Sequence, residues 1–216
     1  MTWLRLLLIT VVLRPWARLM TGADVIGREH LPLAGPAIIA ANHNSHVDTL
    51  LLLTLFPART LARVRPAAAA DYFLANPALS WVSRNLIGIV PVDRSAVGSG
   101  VDVLAPARVA LENGDILIIF PEGTRGEAGE DMAPLKSGVA RLAEACPQAP
   151  VTPVWIQGAG RVLPKGAHIP VPLTCAVLVG EPIHWTGDRA GFMAALKQAL
   201  EALHAQAPPL KWSEPD

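Results

Sequence analysis

Short apolar runs alternate with helix-length stretches along most of this 216-residue chain. Pro36 to Ala41 is continuously apolar rather than alternating, the pattern of a strand covered on both faces. Ile87 to Val92 reads as a second strand, with Pro91 marking its end or an edge. Asp115 to Phe120 is the strongest strand pattern, and Val151 to Ile156 and Leu173 to Val179 follow. Helices are expected over Val47 to Leu55, Val101 to Glu112, Ser137 to Ala145 and Arg189 to Ala205, the second stopped by Asn113-Gly114. There is no internal repeat, and the one low-complexity tract is Ala67 to Ala70. Strands separated by helices predict an α/β class: a single layered domain whose mostly buried, mixed or parallel central sheet is flanked by helices. In such folds chemistry gathers where strands end and loops begin.

The N-terminal run from Leu6 to Leu13 is uncharged and apolar, with Trp3 and Leu4 extending it and Arg5 interrupting. It falls short of the about 20 residues that cross a bilayer. Arg14, Trp16 and Arg18 follow directly. The pattern predicts an interfacial helix, its arginines toward anionic headgroups and Trp3 and Trp16 at the polar boundary. A core-packing helix is the alternative. A signal peptide fits poorly, because no small-residue cleavage site follows. The expected organisation is a membrane-associating helix over 1–22, the main domain over 23–207 and a tail over 208–216.

Composition narrows the classes. Hydrophobic residues make up 51% and charged residues 17%, against about 25% charged in an ordinary soluble domain. That balance excludes disorder. Lys+Arg 18 against Asp+Glu 18 gives no basic excess, so no nucleic-acid partner is expected. Cys146 and Cys175 show neither metal spacing nor a disulfide framework and read as small core residues, which points to a cytoplasmic setting.

The densest polar cluster is Asn42-His43-Asn44-Ser45-His46-Val47-Asp48, directly after the first strand. Residues five apart inside a regular helix point about 140° apart. His43 and Asp48 therefore meet only if His43 precedes the helix and Asp48 lies in its first turns. A carboxylate on one ring nitrogen would then fix the tautomer and raise the basicity of the other, giving a general base with no nucleophile of its own. The competing reading is a helix N-cap, since Asn42, Asn44 and Ser45 are all capping residues.

A second polar group, Pro121-Glu122-Gly123-Thr124-Arg125, ends the strand at Phe120. Gly123 allows close backbone approach, and Arg125 offers a planar fork for phosphate or carboxylate. Glu122 is suited to a ligand hydroxyl or to holding Arg125. A local Glu–Arg turn is the alternative. Arg94 is a second candidate fork, and Lys136 opens a helix but reads more simply as solvated charge. His43, His46 and Asp48 would be an incomplete zinc set, so no metal is expected.

Taken in order, these motifs resemble the glycerolipid acyltransferase family. Asn42, His43, Ser45 and Asp48 match its N-H-x-S-x-x-D signature, and Phe120 to Arg125 match F-P-E-G-T-R without gaps. Gly88 with Arg94 resembles its second motif, and Val151 to Val154 its fourth. The resemblance implies the family's layered α/β fold and acyl transfer from acyl-CoA or acyl-carrier protein, with no cofactor, to a lysophospholipid hydroxyl. The acceptor it implies is 1-acylglycerol 3-phosphate, acylated at the cytoplasmic face of the membrane by a peripheral or monotopic protein. It implies that His43 is the base and Asp48 its orienting group. Asn42, Ser45, Arg94, Phe120, Glu122, Gly123, Thr124 and Arg125 would bind substrate, and backbone N–H groups near Gly123 would receive the oxyanion. One departure is Ala70, where many members carry a lysine. It leaves open another lysolipid, such as a lyso-ornithine lipid. A catalytically silent lipid-binding scaffold is the alternative outside enzymes.

Overall fold

The computed structural model describes residues 2–70, 76–93, 102–123, 132–163 and 169–209. The chain begins with α1 (Thr2–Leu7), a π-helical segment (Leu8–Leu13) and α2 (Arg14–Thr21), followed by β1 (Asp24–Ile26). After a 3-10 turn (Arg28–His30) come β2 (Ala37–Ala41), α3 (His46–Leu55), α4 (Ala58–Leu61) and β3 (Val64–Ala69). Next are α5 (Pro77–Val82), a second π segment (Ser83–Ile87), β4 (Val90–Val92), α6 (Ala105–Glu112) and β5 (Ile116–Ile119). The remainder is α7 (Gly138–Ala145), β6 (Val151–Gln157), α8 (Ala159–Val162), β7 (Ala176–Val179) and α9 (Arg189–Gln206).

The strands form one seven-stranded sheet in the order β1-β7-β6-β2-β5-β3-β4. β2 to β6 all run parallel, so their carboxyl ends share one edge, while β7 pairs antiparallel with β6 and carries β1 with it. This is the expected layered α/β class. β2 lies between β5 and β6, and all five of its residues are buried. Side chains alternate across a strand, so its unbroken apolar run feeds two cores. Ile39 and Ala41 join the side built from α3, with Leu52 and Phe56. Ile38 and Ala40 join the side built from α6, α7 and α9, with Leu111 and Phe192.

Several boundaries differ from the sequence pattern. The stretch read as a strand from Ile87 begins only at Val90, because Ser83–Ile87 is a π turn that Gly88 ends in the left-handed region. The second helix begins at Ala105, and β7 at Ala176. β1 and β3 had no visible strand pattern: β1 is three residues long, and β3 contains Pro66 and the alanine tract. The N-terminal run is buried at some positions and exposed at others. Ile9 and Ala17 are buried, while Trp3, Leu7, Val11, Val12 and Leu19 stand exposed. Trp16, expected at a polar boundary, instead packs half-buried against the core. Arg5 is also buried and donates to the carbonyls of Ala62 and Val64. Desolvation, followed by the nearby charge of Arg65, lowers its pKa to about 10.

Gly88 lies at the amino end of β4, across the sheet from the carboxyl edge. Its φ is 78°, and a Cβ there would meet Arg5 Cζ at 2.9 Å. Left-handed backbone costs an L-residue about 1–2 kcal/mol, so Gly88→Ala should destabilise the chain by at least about that much. Urea denaturation checks this, and an unchanged midpoint would contradict it.

Candidate active site

The carboxyl ends of β2 and β5 are neighbours, so the polar groups after each strand converge. His43 follows β2 and precedes α3, while Asp48 is the third residue of α3. His43 Nδ1 lies 3.0 Å from Asp48 Oδ2. The capping reading holds as well. Ser45 is the N-cap of α3, its Oγ accepts the Val47 N–H, and Asp48 completes a capping box. Asp48 Oδ2 accepts the N–H groups of Asn44 at 2.8 Å and Ser45 at 2.7 Å. One oxygen thus serves the helix cap and the imidazole together. Asp48 is fully buried, and its Oδ1 has no hydrogen-bond partner among the described residues. The His43 side chain keeps 18% of its surface exposed, enough for its far edge to meet a ligand.

The neighbouring strands hold this loop from both sides. On the β6 side, Asn42 Nδ2 donates to Ile156 O and its Oδ1 accepts the Ile156 N–H. Asn42 is 2% exposed, and each of those buried main-chain groups would cost about 1–3 kcal/mol if left unpaired. Ser45 is buried too, and its hydroxyl donates to Leu163 O. Both were expected to touch substrate, but here their polar atoms are spent on the scaffold. On the β5 side, Phe120 stacks on the His43 ring at 4.1 Å between centroids. Glu122 Oε1 accepts the His43 main-chain N–H at 3.0 Å. Glu122 therefore turns inward rather than toward a ligand hydroxyl. Burial raises its pKa from the usual carboxylate range, opposed by the N–H groups of His43 and Ala133.

Gly123 has φ 76°, and its N–H donates to Phe120 O. That donor is occupied by the turn, so it is not the free oxyanion donor expected there. The Lys136 stem crosses Gly123 so closely that a Cβ would sit 2.6 Å from Lys136 Nζ. Lys136 was read as solvated charge. It is exposed, yet it borders the site, because its N–H is anchored on Pro121 O. Only the Pro134–Gly138 helix opening signalled it. Arg94, Thr124 and Arg125 lie outside the described residues. Val151 to Val154 lie in β6, buried beside β2. Cys175 is buried, and desolvation followed by the charge of Asp48 pushes its thiol up to about 12, leaving it unreactive. Among the described residues no group of three or more His, Cys, Asp or Glu is placed to hold a metal ion.

A parallel-sheet α/β domain with a carboxylate-backed histidine at its carboxyl edge defines the class. A solved structure of the 1-acyl-sn-glycerophosphate (LPA) acyltransferase PlsC from Thermotoga maritima shares this fold. Its TM-score is 0.73 at 23% identity, covering 94% of this chain and 80% of that one. The chain belongs to the Acyltransferase family, whose model matches residues 22–157. Among its relatives is the chloroplastic 1-acyl-sn-glycerol-3-phosphate acyltransferase BAT2 of Brassica napus, 30% identical over 146 residues, which are 67% of this chain and 40% of that protein. The human 1-acyl-sn-glycerol-3-phosphate acyltransferase alpha is 31% identical over 134 residues, 61% of this chain and 44% of that one. In both cases the match spans less than half the relative's length. The Pseudomonas aeruginosa 1-acyl-sn-glycerol-3-phosphate acyltransferase is 28% identical over 180 residues, 83% of this chain and 66% of that one.

The raised pKa of Glu122 has a sign that can be tested. The folded chain holds this proton more tightly than the unfolded chain. The group's contribution to stability is therefore fully present below the unfolded carboxylate pKa and lost as pH rises through the folded one. The stability advantage of wild type over Glu122→Gln should shrink as pH rises through that window, measured by urea denaturation. An advantage that grows with pH would contradict the desolvation argument.

Proposed function

We propose that this chain transfers a fatty acyl group from an acyl thioester to the free hydroxyl of 1-acylglycerol 3-phosphate, giving phosphatidate. The observation carrying this reading is the His43–Asp48 contact at 3.0 Å in a chain of the Acyltransferase family. The names of its relatives support the acceptor.

In this mechanism Nδ1–H donates to Asp48 and leaves the Nε2 lone pair free. Nε2 takes the proton of the acceptor hydroxyl as its oxygen attacks the thioester carbonyl. The tetrahedral intermediate collapses, the carbon–sulfur bond breaks, and the imidazolium returns the proton to the departing thiolate. Asp48 stays ionised throughout and steadies the positive ring. No acyl-enzyme forms, because the acceptor is its own nucleophile once both substrates are held together. Phe120 fixes the plane of the ring from one side. Arg94 and Arg125 are the proposed clamps for the acceptor phosphate, with Thr124 beside them.

Acyl-CoA and acyl-carrier protein are the donor classes proposed, which puts the work at the cytoplasmic face of the membrane. Among the described residues no helix is long and apolar enough to cross a membrane. The exposed row Trp3, Leu7 and Val11 supports peripheral contact, with residues 1–22 as the membrane-associating segment. The position of Ala70, buried at the end of β3, supports a second reading in which the acceptor carries a different headgroup.

His43→Ala should lower kcat by about 10²–10⁴ with little change in KM. Asp48→Asn should lower it by a similar order, because the amide no longer selects the tautomer. The assay is phosphatidate formation from lysophosphatidate and oleoyl-CoA. His43→Ala activity equal to wild type would overturn the base assignment. A rate unchanged with a phosphate-free acceptor would remove the clamp role of Arg94 and Arg125.

A further inference from the structure

We propose that the cleft at the C-terminal end of α3 binds the phosphate group of an anionic membrane glycerophospholipid, at a site separate from His43. The cleft has a volume of about 560 Å³, within the about 300–1,000 Å³ of small-molecule sites. Arg14 and Arg18 reach it from α2 and Arg28 from the 3-10 turn, against the single carboxylate of Glu29. None of these arginines forms an ion pair among the described residues.

Two of the arginines are fixed by the end of α3. Arg14 donates to Phe56 O and Arg28 to Leu55 O, so the unpaired carbonyls and negative pole of the helix draw cations to this point. A guanidinium carries five N–H donors, and these bonds leave most of them unused. Arg14 Nε is buried with no hydrogen-bond partner among the described residues. Arg18 makes no side-chain hydrogen bond among the described residues. Burial, and then the charges of Arg18 and Arg28, depress the pKa of Arg14. Planar forks of this kind match phosphate oxygens in pairs.

The remaining wall selects a lipid over a free phosphate. Leu31, Leu33, Phe56 and Pro57 line it; Leu31 and Phe56 are buried, so Leu33 and Pro57 supply its accessible apolar surface. Leu33 is 54% exposed. The exposed apolar residues Val11 and Val12 of the N-terminal run come just ahead of Arg14 in the chain, and Arg14 and Arg18, four apart in α2, share a helix side. A phosphate in this cleft then sits where the apolar row meets lipid. It is not the phosphate of the acceptor. α3 has ten residues and spans about 15 Å, with His43 before one end and the cleft at the other. A glycerol backbone of three carbons cannot bridge that distance.

The test reads binding without an acyl donor, so it stands or falls apart from the proposed chemistry. The full chain is sedimented with phosphatidylcholine vesicles, with and without phosphatidylglycerol. The wild type should prefer the anionic vesicles. Arg18→Ala and Arg28→Ala should each weaken that binding by about fivefold or more and leave binding to phosphatidylcholine alone unchanged. Arg141→Ala, exposed on α7 across the sheet, should change neither. Arg18 has no side-chain hydrogen bond to lose among the described residues, so it carries the test even if Arg28→Ala unfolds. An anionic preference that survives both variants, or that falls equally in Arg141→Ala, would overturn the site. Calorimetric titration with inorganic phosphate separates the sources. Saturable phosphate binding lost in Arg28→Ala, with no preference for anionic vesicles, would give the cleft to a soluble ligand and overturn the lipid assignment.

Discussion

A single buried carboxylate oxygen carries the site. Asp48 has no solvent exposure, and burying an ionised carboxylate is prohibitive unless its charge is met. Compensation arrives at Oδ2 from the N–H groups of Asn44 and Ser45 and from the first turn of α3, whose free amides favour negative charge. Oδ1 makes no hydrogen bond among the described residues. The imidazole of His43 is the third partner on the same oxygen. Folding the helix start and orienting the histidine are thus one electrostatic event. The ring is held at Nδ1, and the His43 side chain keeps 18% of its surface exposed.

Topology explains why this arrangement stays in place. β2 is the central strand of the sheet, with a parallel neighbour on each side, β5 on one and β6 on the other. Each neighbour sends one strap to the loop after β2. From β6 it is the two-sided amide contact of Asn42 with Ile156, and from β5 it is the Glu122 carboxylate on the His43 N–H. Both straps end on main chain, so they fix the path of the loop rather than any side chain. Phe120 then limits the ring plane. A ring placed this way, in the base role proposed for it, needs little reorganisation when substrates arrive.

Legibility in the sequence followed how local each signal was. β2 and β5 were readable because strands buried on both faces keep unbroken apolar runs. The meeting of His43 and Asp48 was readable because a separation of five excludes both from one regular helix. β3 was not, since Pro66 and the alanines carry no strand propensity and the strand exists through pairing with β4 and β5. The burial of Arg5 was hidden for the same reason, as its acceptors lie near residues 62 and 64. Asn42, Ser45 and Glu122 were correctly gathered at the site, but their direction was not visible. Whether a polar side chain faces a ligand or a neighbouring strand depends on tertiary contacts. The basic cleft draws its arginines from two elements and its floor from a third, so no sequence window contains it.

The tautomer of His43 tests the role of Asp48 most directly. Nitrogen-15 chemical shifts of the imidazole, measured on the full chain at neutral pH, report which nitrogen carries the proton. The expected result is a protonated Nδ1, held on Asp48 Oδ2, beside an Nε2 with the shift of a free lone pair. A neutral ring protonated at Nε2 would contradict it, because the outward nitrogen would then have no lone pair to accept the proton of a hydroxyl.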